Sequence, residues 1–194
     1  MVKLSKKVAL LALTVGIFAI NATAQESETP ADKIKIKAAL SISPGFLTEN
    51  TKTVQLHGYV GFRPKQGRIE LRGDGFYYLN AFGDRPRFTI NHQVYAGAFY
   101  RFSDAQFQPY VGFQPGIAYS QSSEYGRLDE ATNTISYKKS INPVGSVAGG
   151  LDFFGEKVFF MFIETRYIFG KHKSDSYPIF LDEWRFSFGL GFHF

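Results

Sequence analysis

The sequence predicts an all-β fold, an eight-stranded antiparallel up-and-down transmembrane β-barrel over residues 33–194. Three observations carry this reading. In residues 184–194 every even position is large and apolar, and every odd position is polar or glycine. This is the two-residue repeat of a strand whose side chains point alternately to opposite faces. The same alternation recurs in seven earlier segments, and the connections between segments alternate between short and long.

The last strand demands a membrane. In water, a flat apolar strand face would template aggregation. In a lipid-embedded barrel the same pattern is required, apolar face to lipid and polar face to the lumen. Eleven residues at about 3.3 Å each, tilted about 40°, rise roughly 28 Å, enough for an apolar band of about 25 Å. Trp184 falls near one interface and Phe192 and Phe194 near the other, where aromatic girdles belong.

The start of the chain agrees with export. Lys3, Lys6 and Lys7 precede an apolar stretch at 8–20, and Ala22-Thr23-Ala24 forms a cleavage pattern. Residues 1–24 therefore read as a secretory signal peptide. The 13-residue apolar stretch is too short for a spanning helix, which needs about 20 residues. Residues 25–32 are expected to be a short periplasmic segment. Losing the signal takes the net charge from +5 to +2, and nothing points to a nucleic-acid partner. With no cysteine there is no disulfide framework or thiolate metal site. After the signal no apolar run is long enough for a helix to span, as expected when half of each strand faces a polar interior.

Taken in order, the first strand sets Ile34, Ile36, Ala38, Leu40 and Ile42 against Lys33, Lys35, Lys37, Ala39 and Ser41. The second sets Val54, Leu56, Val60 and Phe62 against Gln55, His57, Tyr59 and Arg63, and the third sets Ile69, Leu71, Tyr77 and Leu79 against Arg68, Glu70, Arg72, Asp74, Phe76 and Tyr78. In the fourth, Val94, Ala96, Ala98, Tyr100 and Phe102 oppose Gln93, Tyr95, Phe99 and Arg101. The fifth spans 110–119, with Pro115 expected to mark a bulge because proline cannot donate to the ladder. The sixth, 146–153, is blurred by Pro143 and glycines; the seventh, 159–169, sets Phe159, Met161, Ile163, Thr165 and Tyr167 against Phe160, Phe162, Glu164 and Arg166. Eight is an even count, as closed single-chain barrels have. Short turns fall at 64–67, 103–107 and 155–156, long loops at 43–52, 81–87, 121–142 and 170–183. Short turns belong to the periplasmic side and long loops to the outside.

At this point the chain resembles the small eight-stranded OmpA/OmpX-type barrels and the broader outer-membrane β-barrel domain family. The resemblance rests on Val94-Tyr95-Ala96-Gly97-Ala98-Phe99-Tyr100-Arg101-Phe102, Glu164-Thr165-Arg166-Tyr167 and the phenylalanine-ended last strand. It implies an outer-membrane location and an assembly signal in Leu190, Phe192 and Phe194, the terminal aromatic being read by the barrel-assembly machinery. It also implies outer-membrane lipids and lipopolysaccharide as surroundings, and an extracellular partner whose identity stays open. The peptidoglycan-binding domain of full-length OmpA-like proteins is not expected.

The candidate chemistry lies in the lumen and at the outer rim. Arg68, Glu70, Arg72, Asp74, Asp152, Glu164, Arg166 and Arg185, with Arg63, Lys35 and Lys37, point inward by alternation. The lumen of an eight-stranded barrel is only wide enough for side chains to fill, and buried charges must be paired, so a salt-bridge network is expected. Glu164 and Arg185 stand at similar heights on adjacent strands, so they can pair. Phe76, Tyr95, Phe99, Phe160 and Phe162 would plug a narrow pore, the sharper alternative. At the rim, His172, Ser174 and Glu183 offer a histidine, a hydroxyl and an acid. They are similar to the arrangement in lipid A deacylase barrels, although Asp175 stands where that family has asparagine. These three are expected to be splayed in a polar loop because strand seven is not expected to stay extended to 174. The histidines lack metal-ligand spacing, and no cofactor is implied. The largest soluble surface is the loop around 121–141, where function commonly resides. The sequence thus reads as a non-catalytic structural or surface-interaction barrel, with a lipid A-modifying hydrolase and a narrow pore as alternatives.

Overall fold

In a computed structural model, residues 34–47, 51–64, 67–82, 87–155 and 158–194 are described. The expected signal peptide and the segment 25–32 lie outside them. Five strands run in succession: β1 (Ile34–Leu47), β2 (Lys52–Pro64), β3 (Ile69–Phe82), β4 (Phe88–Arg101) and β5 (Phe107–Ser122). A small hairpin, β6 (Arg127–Asp129) and β7 (Thr134–Ser136), then precedes β8 (Lys139–Phe154), β9 (Phe159–Lys173), β10 (Pro178–Phe180) and β11 (Glu183–His193). Each long strand pairs antiparallel with its neighbours, in the order β1-β2-β3-β4-β5-β8-β9-β11. β11 returns to β1 with Leu40 opposite Leu190, closing eight strands into a barrel. Beyond β11 the seam is extended by two hydrogen bonds between Ile36 and Phe194, at 3.1 and 2.9 Å. Closure leaves the long ladder without a free edge, which is how a barrel satisfies its backbone in lipid.

The alternation read from the sequence sets the facing of all eight long strands. Leu40, Leu71, Phe113, Phe188 and Leu190 are exposed on the outside, Phe188 by 64% and Leu190 by 61%. Tyr167 packs on Trp184 near the long-loop end, with ring centroids 5.0 Å apart. At the short-turn end Phe159 packs on Phe192 at 4.7 Å and Phe107 on Phe153 at 4.9 Å. These are two aromatic girdles bounding an apolar belt.

Two expectations about the ladder are corrected. Pro115 makes no bulge: it lies opposite Gly145, and β5 keeps one register against β8 from Phe107↔Phe153 to Gln121↔Lys139. On the β4 side the pairing instead skips from Tyr95↔Gly116 to Ala98↔Phe113 at unchanged register. Gly97 faces that gap, where an added Cβ would collide with the Phe113 carbonyl and stand 2.8 Å from Gln114 Cα. The missing side chain lets the two backbones approach where proline cannot donate.

The strands also run further than expected at the long-loop end. β5 and β8 have 16 residues each, a rise of roughly 40 Å at the same tilt, well beyond an apolar band of about 25 Å. β9 stays extended to Lys173, where β10 folds back on it with Phe180 opposite Lys171 and Pro178 opposite Lys173. Asn133 turns the β6–β7 hairpin with a left-handed φ of 49°, a conformation asparagine tolerates.

Candidate functional site

The lumen is filled. Near the short-turn end Lys37 meets Asp152 at 3.0 Å and Glu70 at 3.7 Å, while Arg101 meets Glu70 at 2.6 Å and Asp152 at 2.7 Å. Two cations and two carboxylates form a closed quartet. A second quartet lies above it. Arg72 binds Asp74 at 2.6 Å and Glu164 at 2.7 Å, and Arg166 binds Asp74 at 3.0 Å and Glu164 at 2.9 Å. A pair follows, Arg185 on Glu183 at 2.5 Å, with Thr53 donating to Glu183 and Gln93 accepting from Arg185 at 3.2 Å. All these side chains are buried. Pairing of each charge answers the cost of burial, which an unpaired ion could not meet.

Aromatic rings occupy the remaining space. Arg72 lies 3.7 Å over the Tyr59 ring and 4.5 Å over Phe99, and Arg185 lies 4.3 Å over Phe76. Toward the long loops Leu47, Phe76, Phe88, Tyr95, Ala118, Val144, Ile168, Ile179 and Leu181 form one buried apolar cluster. Beside it His172 Nδ1 lies 2.8 Å from Ser120 Oγ and 3.0 Å from Ser140 Oγ, its ring edge-on to Phe88.

Of the lumen residues expected from sequence, Glu70, Arg72, Asp74, Asp152, Glu164, Arg166 and Arg185 are inside. Arg68 is not. It falls in the turn before β3 begins, where strand alternation does not yet apply, and reaches Tyr100 Oη at 3.4 Å on the exposed side. Glu164 and Arg185 do not pair either. Register puts Ser187 opposite Glu164 and Arg185 opposite Arg166, so Arg185 takes Glu183, two residues along its own strand. Arg101 and His57 carry the expected parity and were not singled out; extending the count of charged inward positions along the second and fourth strands would have found both.

His172, Ser174 and Glu183 are apart, though not as a splayed loop. β9 continues through His172 because its outer extension stays paired, and that histidine is buried on Ser120 and Ser140. The Ser174 hydroxyl donates to the Tyr177 carbonyl. Glu183 faces the lumen with Arg185 and Thr53.

A different serine–histidine–acid string runs inside. Ser41 Oγ is 3.0 Å from His57 Nδ1, and His57 Nε2 is 2.7 Å from Asp74 Oδ1. Its geometry resembles a nucleophile, base and orienting acid. Its surroundings differ: Asp74 is also held by Arg72, Arg166 and Gln114, and Phe76 stacks on the His57 ring at 4.1 Å. Ser41 is itself buried, and its hydroxyl lies 3.4 Å from Ser43 Oγ. His57, Asp74 and Glu164 also place potential ligand atoms within 4.8 Å of one another. Both carboxylates already carry two guanidinium groups, which a metal ion would have to displace.

No family description and no curated protein sequence matches the chain. Solved structures do. Neisserial surface protein A is similar over 83% of this chain and 96% of its own, at 13% identity and a TM-score of 0.56. The Pseudomonas aeruginosa outer membrane protein OprG is similar over 82% and 95%, at 11% identity and a TM-score of 0.55. The N-terminal β-barrel domain of Pseudomonas aeruginosa OprF is similar over 84% and 98%, at 14% identity and a TM-score of 0.52. With its lipid-facing apolar belt and filled lumen, the chain has the fold of the small eight-stranded outer-membrane barrels and is a membrane barrel protein.

Proposed function

We propose that this protein is an integral outer-membrane barrel with a non-catalytic, structural or surface-interaction role exercised through its extracellular loops. The observation that carries the reading is the long-loop end. There β5 and β8 project past the apolar belt and hold the β6–β7 hairpin, whose Leu128 and Ile135 are 54% and 58% exposed. Tyr125 packs against Tyr177 of the next loop with ring centroids 5.8 Å apart, and Tyr177 is 68% exposed. Apolar side chains presented on a stiff support above the lipid mark a contact surface. The paired lumen supports the same reading against a pore, since a conducting path would have to part both quartets.

On this reading outer-membrane lipids cover the belt. The exposed Lys139, Lys171 and Lys173 face the phosphate layer of lipopolysaccharide, and Phe194 serves the assembly machinery. The chain has no cysteine, so Thr132→Cys in the hairpin gives a single label site. Intact cells should react there with a membrane-impermeant maleimide, and purified protein in planar bilayers should show no discrete conductance steps. Failure to label intact cells overturns the loop assignment, and reproducible single-channel steps favour the narrow pore.

A further inference from the structure

Among the described residues six buried cations occupy the lumen, Lys37, Arg63, Arg72, Arg101, Arg166 and Arg185, against five buried carboxylates, Glu70, Asp74, Asp152, Glu164 and Glu183. The two quartets and the Arg185–Glu183 pair use all five carboxylates. Arg63 is left over. Its side chain is 1% exposed, and its partner Asp104 lies in the β4–β5 turn, 54% exposed. Arg63 Nη1 meets Asp104 Oδ1 at 2.7 Å, and among the described residues Nε of Arg63 has no hydrogen-bond partner. A buried guanidinium with unmet donors is costly unless something supplies acceptors.

Arg63 lines a cavity of about 380 Å³ at the short-turn end of the barrel, together with Lys35, Lys37, Gln108, Phe154 and His193. His193 Nδ1 also has no partner. One wall is aromatic: the Phe154 ring stacks on Phe160 at 5.3 Å and meets the His193 ring edge-on at 5.0 Å. Lys37 is already held by Asp152, so among the described residues the cations that can meet a guest are Lys35 and Arg63, which a guest would share with Asp104.

We propose that this vestibule is a binding site for an oxyanion, a phosphate or carboxylate group entering from the periplasmic side. Arg63 supplies the buried donors and Lys35 a second positive charge at the rim. Phe154 and His193 give the carbon skeleton of the guest an apolar wall. Arg63 suits the task because its planar fork matches either oxyanion. Asp104 competes with the guest for the same guanidinium.

The test is titration of the full barrel in detergent micelles at low ionic strength, with inorganic phosphate in one arm and glutarate in the other. Saturable binding of at least one probe is expected, and the tighter one identifies the group the site prefers. Arg63→Gln and Lys35→Gln should each weaken binding on the order of tenfold, the scale of a charge-assisted hydrogen bond. Asp104→Asn should strengthen it. Lys35 and Asp104 lie at the rim, so those two variants decide the matter even if Arg63→Gln fails to fold. The proposal is overturned if neither probe binds saturably, or if Lys35→Gln and Asp104→Asn both leave the affinity unchanged.

Discussion

Removing Arg166 should be among the most damaging single changes in this barrel. Its guanidinium donates to Glu164, Asp74, Gln114 and Ser146, and lies 5.1 Å from the Phe76 ring centroid. Arg166→Met keeps most of the volume and leaves Asp74 and Glu164 sharing Arg72 alone among full cations. At an effective dielectric of about 20, a unit charge pair at about 4 Å is worth roughly 4 kcal/mol. Breaking one partner of a buried pair costs about 3–5 kcal/mol. We therefore expect Arg166→Met to destabilise the barrel by about 3–5 kcal/mol. Glu164→Gln should do similar damage with the opposite excess charge. Together the two changes restore neutrality, and the double variant should recover about 2–3 kcal/mol relative to the sum of the singles.

The assay is equilibrium urea unfolding of barrel refolded into lipid vesicles, read by tryptophan fluorescence. Trp184 is the only tryptophan and lies half exposed on the outer face against Tyr167, so its emission reports transfer from lipid to water. A cost for Arg166→Met below about 1 kcal/mol, the scale of an exposed ion pair, would refute the quartet as a desolvated unit. Strict additivity of the two substitutions would refute the coupling.

Leu190→Arg puts a charge on the lipid face and should cost roughly 2–4 kcal/mol near the midplane, lowering membrane-inserted yield on heat-shifted gels, whereas His193→Arg on the other face should be tolerated; equal yields would contradict the assigned facing. Deleting Phe194 removes its two seam hydrogen bonds to Ile36, worth about 1 kcal/mol each, and should slow insertion by the assembly machinery in pulse-chase experiments. Purified protein should release no fatty acid from lipid A, and Ser174→Ala should leave that baseline where it is; Ser174-dependent release would restore the hydrolase.

Strand facing was legible because two solvents meet at every spanning residue: lipid outside demands apolar side chains, and the lumen accepts polar ones. The signal fades where that contrast ends. At Lys171, His172 and Lys173 the outward side is no longer in lipid, so it turns polar, and a paired strand reads as a loop although His172 still faces inward. Which inward charges meet was harder to read. Glu164 and Arg185 have compatible parity, but the stagger that puts Ser187 opposite Glu164 belongs to the closed barrel. The Arg72–Glu164 and Arg166–Asp74 contacts join β3 to β9 across the lumen, between strands that are not neighbours. No local spacing encodes such a meeting. Arg68 failed for the opposite reason, because alternation was extended one residue past the strand that generates it.

The width of the barrel explains why the interior is ionic at all. Eight strands leave a lumen that side chains must fill, and leucine or phenylalanine would fill it well. But a strand such as β5 or β8, apolar on both faces, would become a run of 16 apolar residues, approaching the about 20 that read as a spanning helix. Alternating polar residues and glycines, such as Gln108, Gln114 and Ser120 in β5, keep each strand short of that limit during export. The cost appears only on closure, when the charges lose water, and the quartets and the Arg185–Glu183 pair offset it by giving each buried carboxylate among the described residues two cations or one cation with a hydroxyl. Arg63 is the buried cation that takes an exposed partner instead, Asp104, and it lies at the short-turn mouth of the barrel.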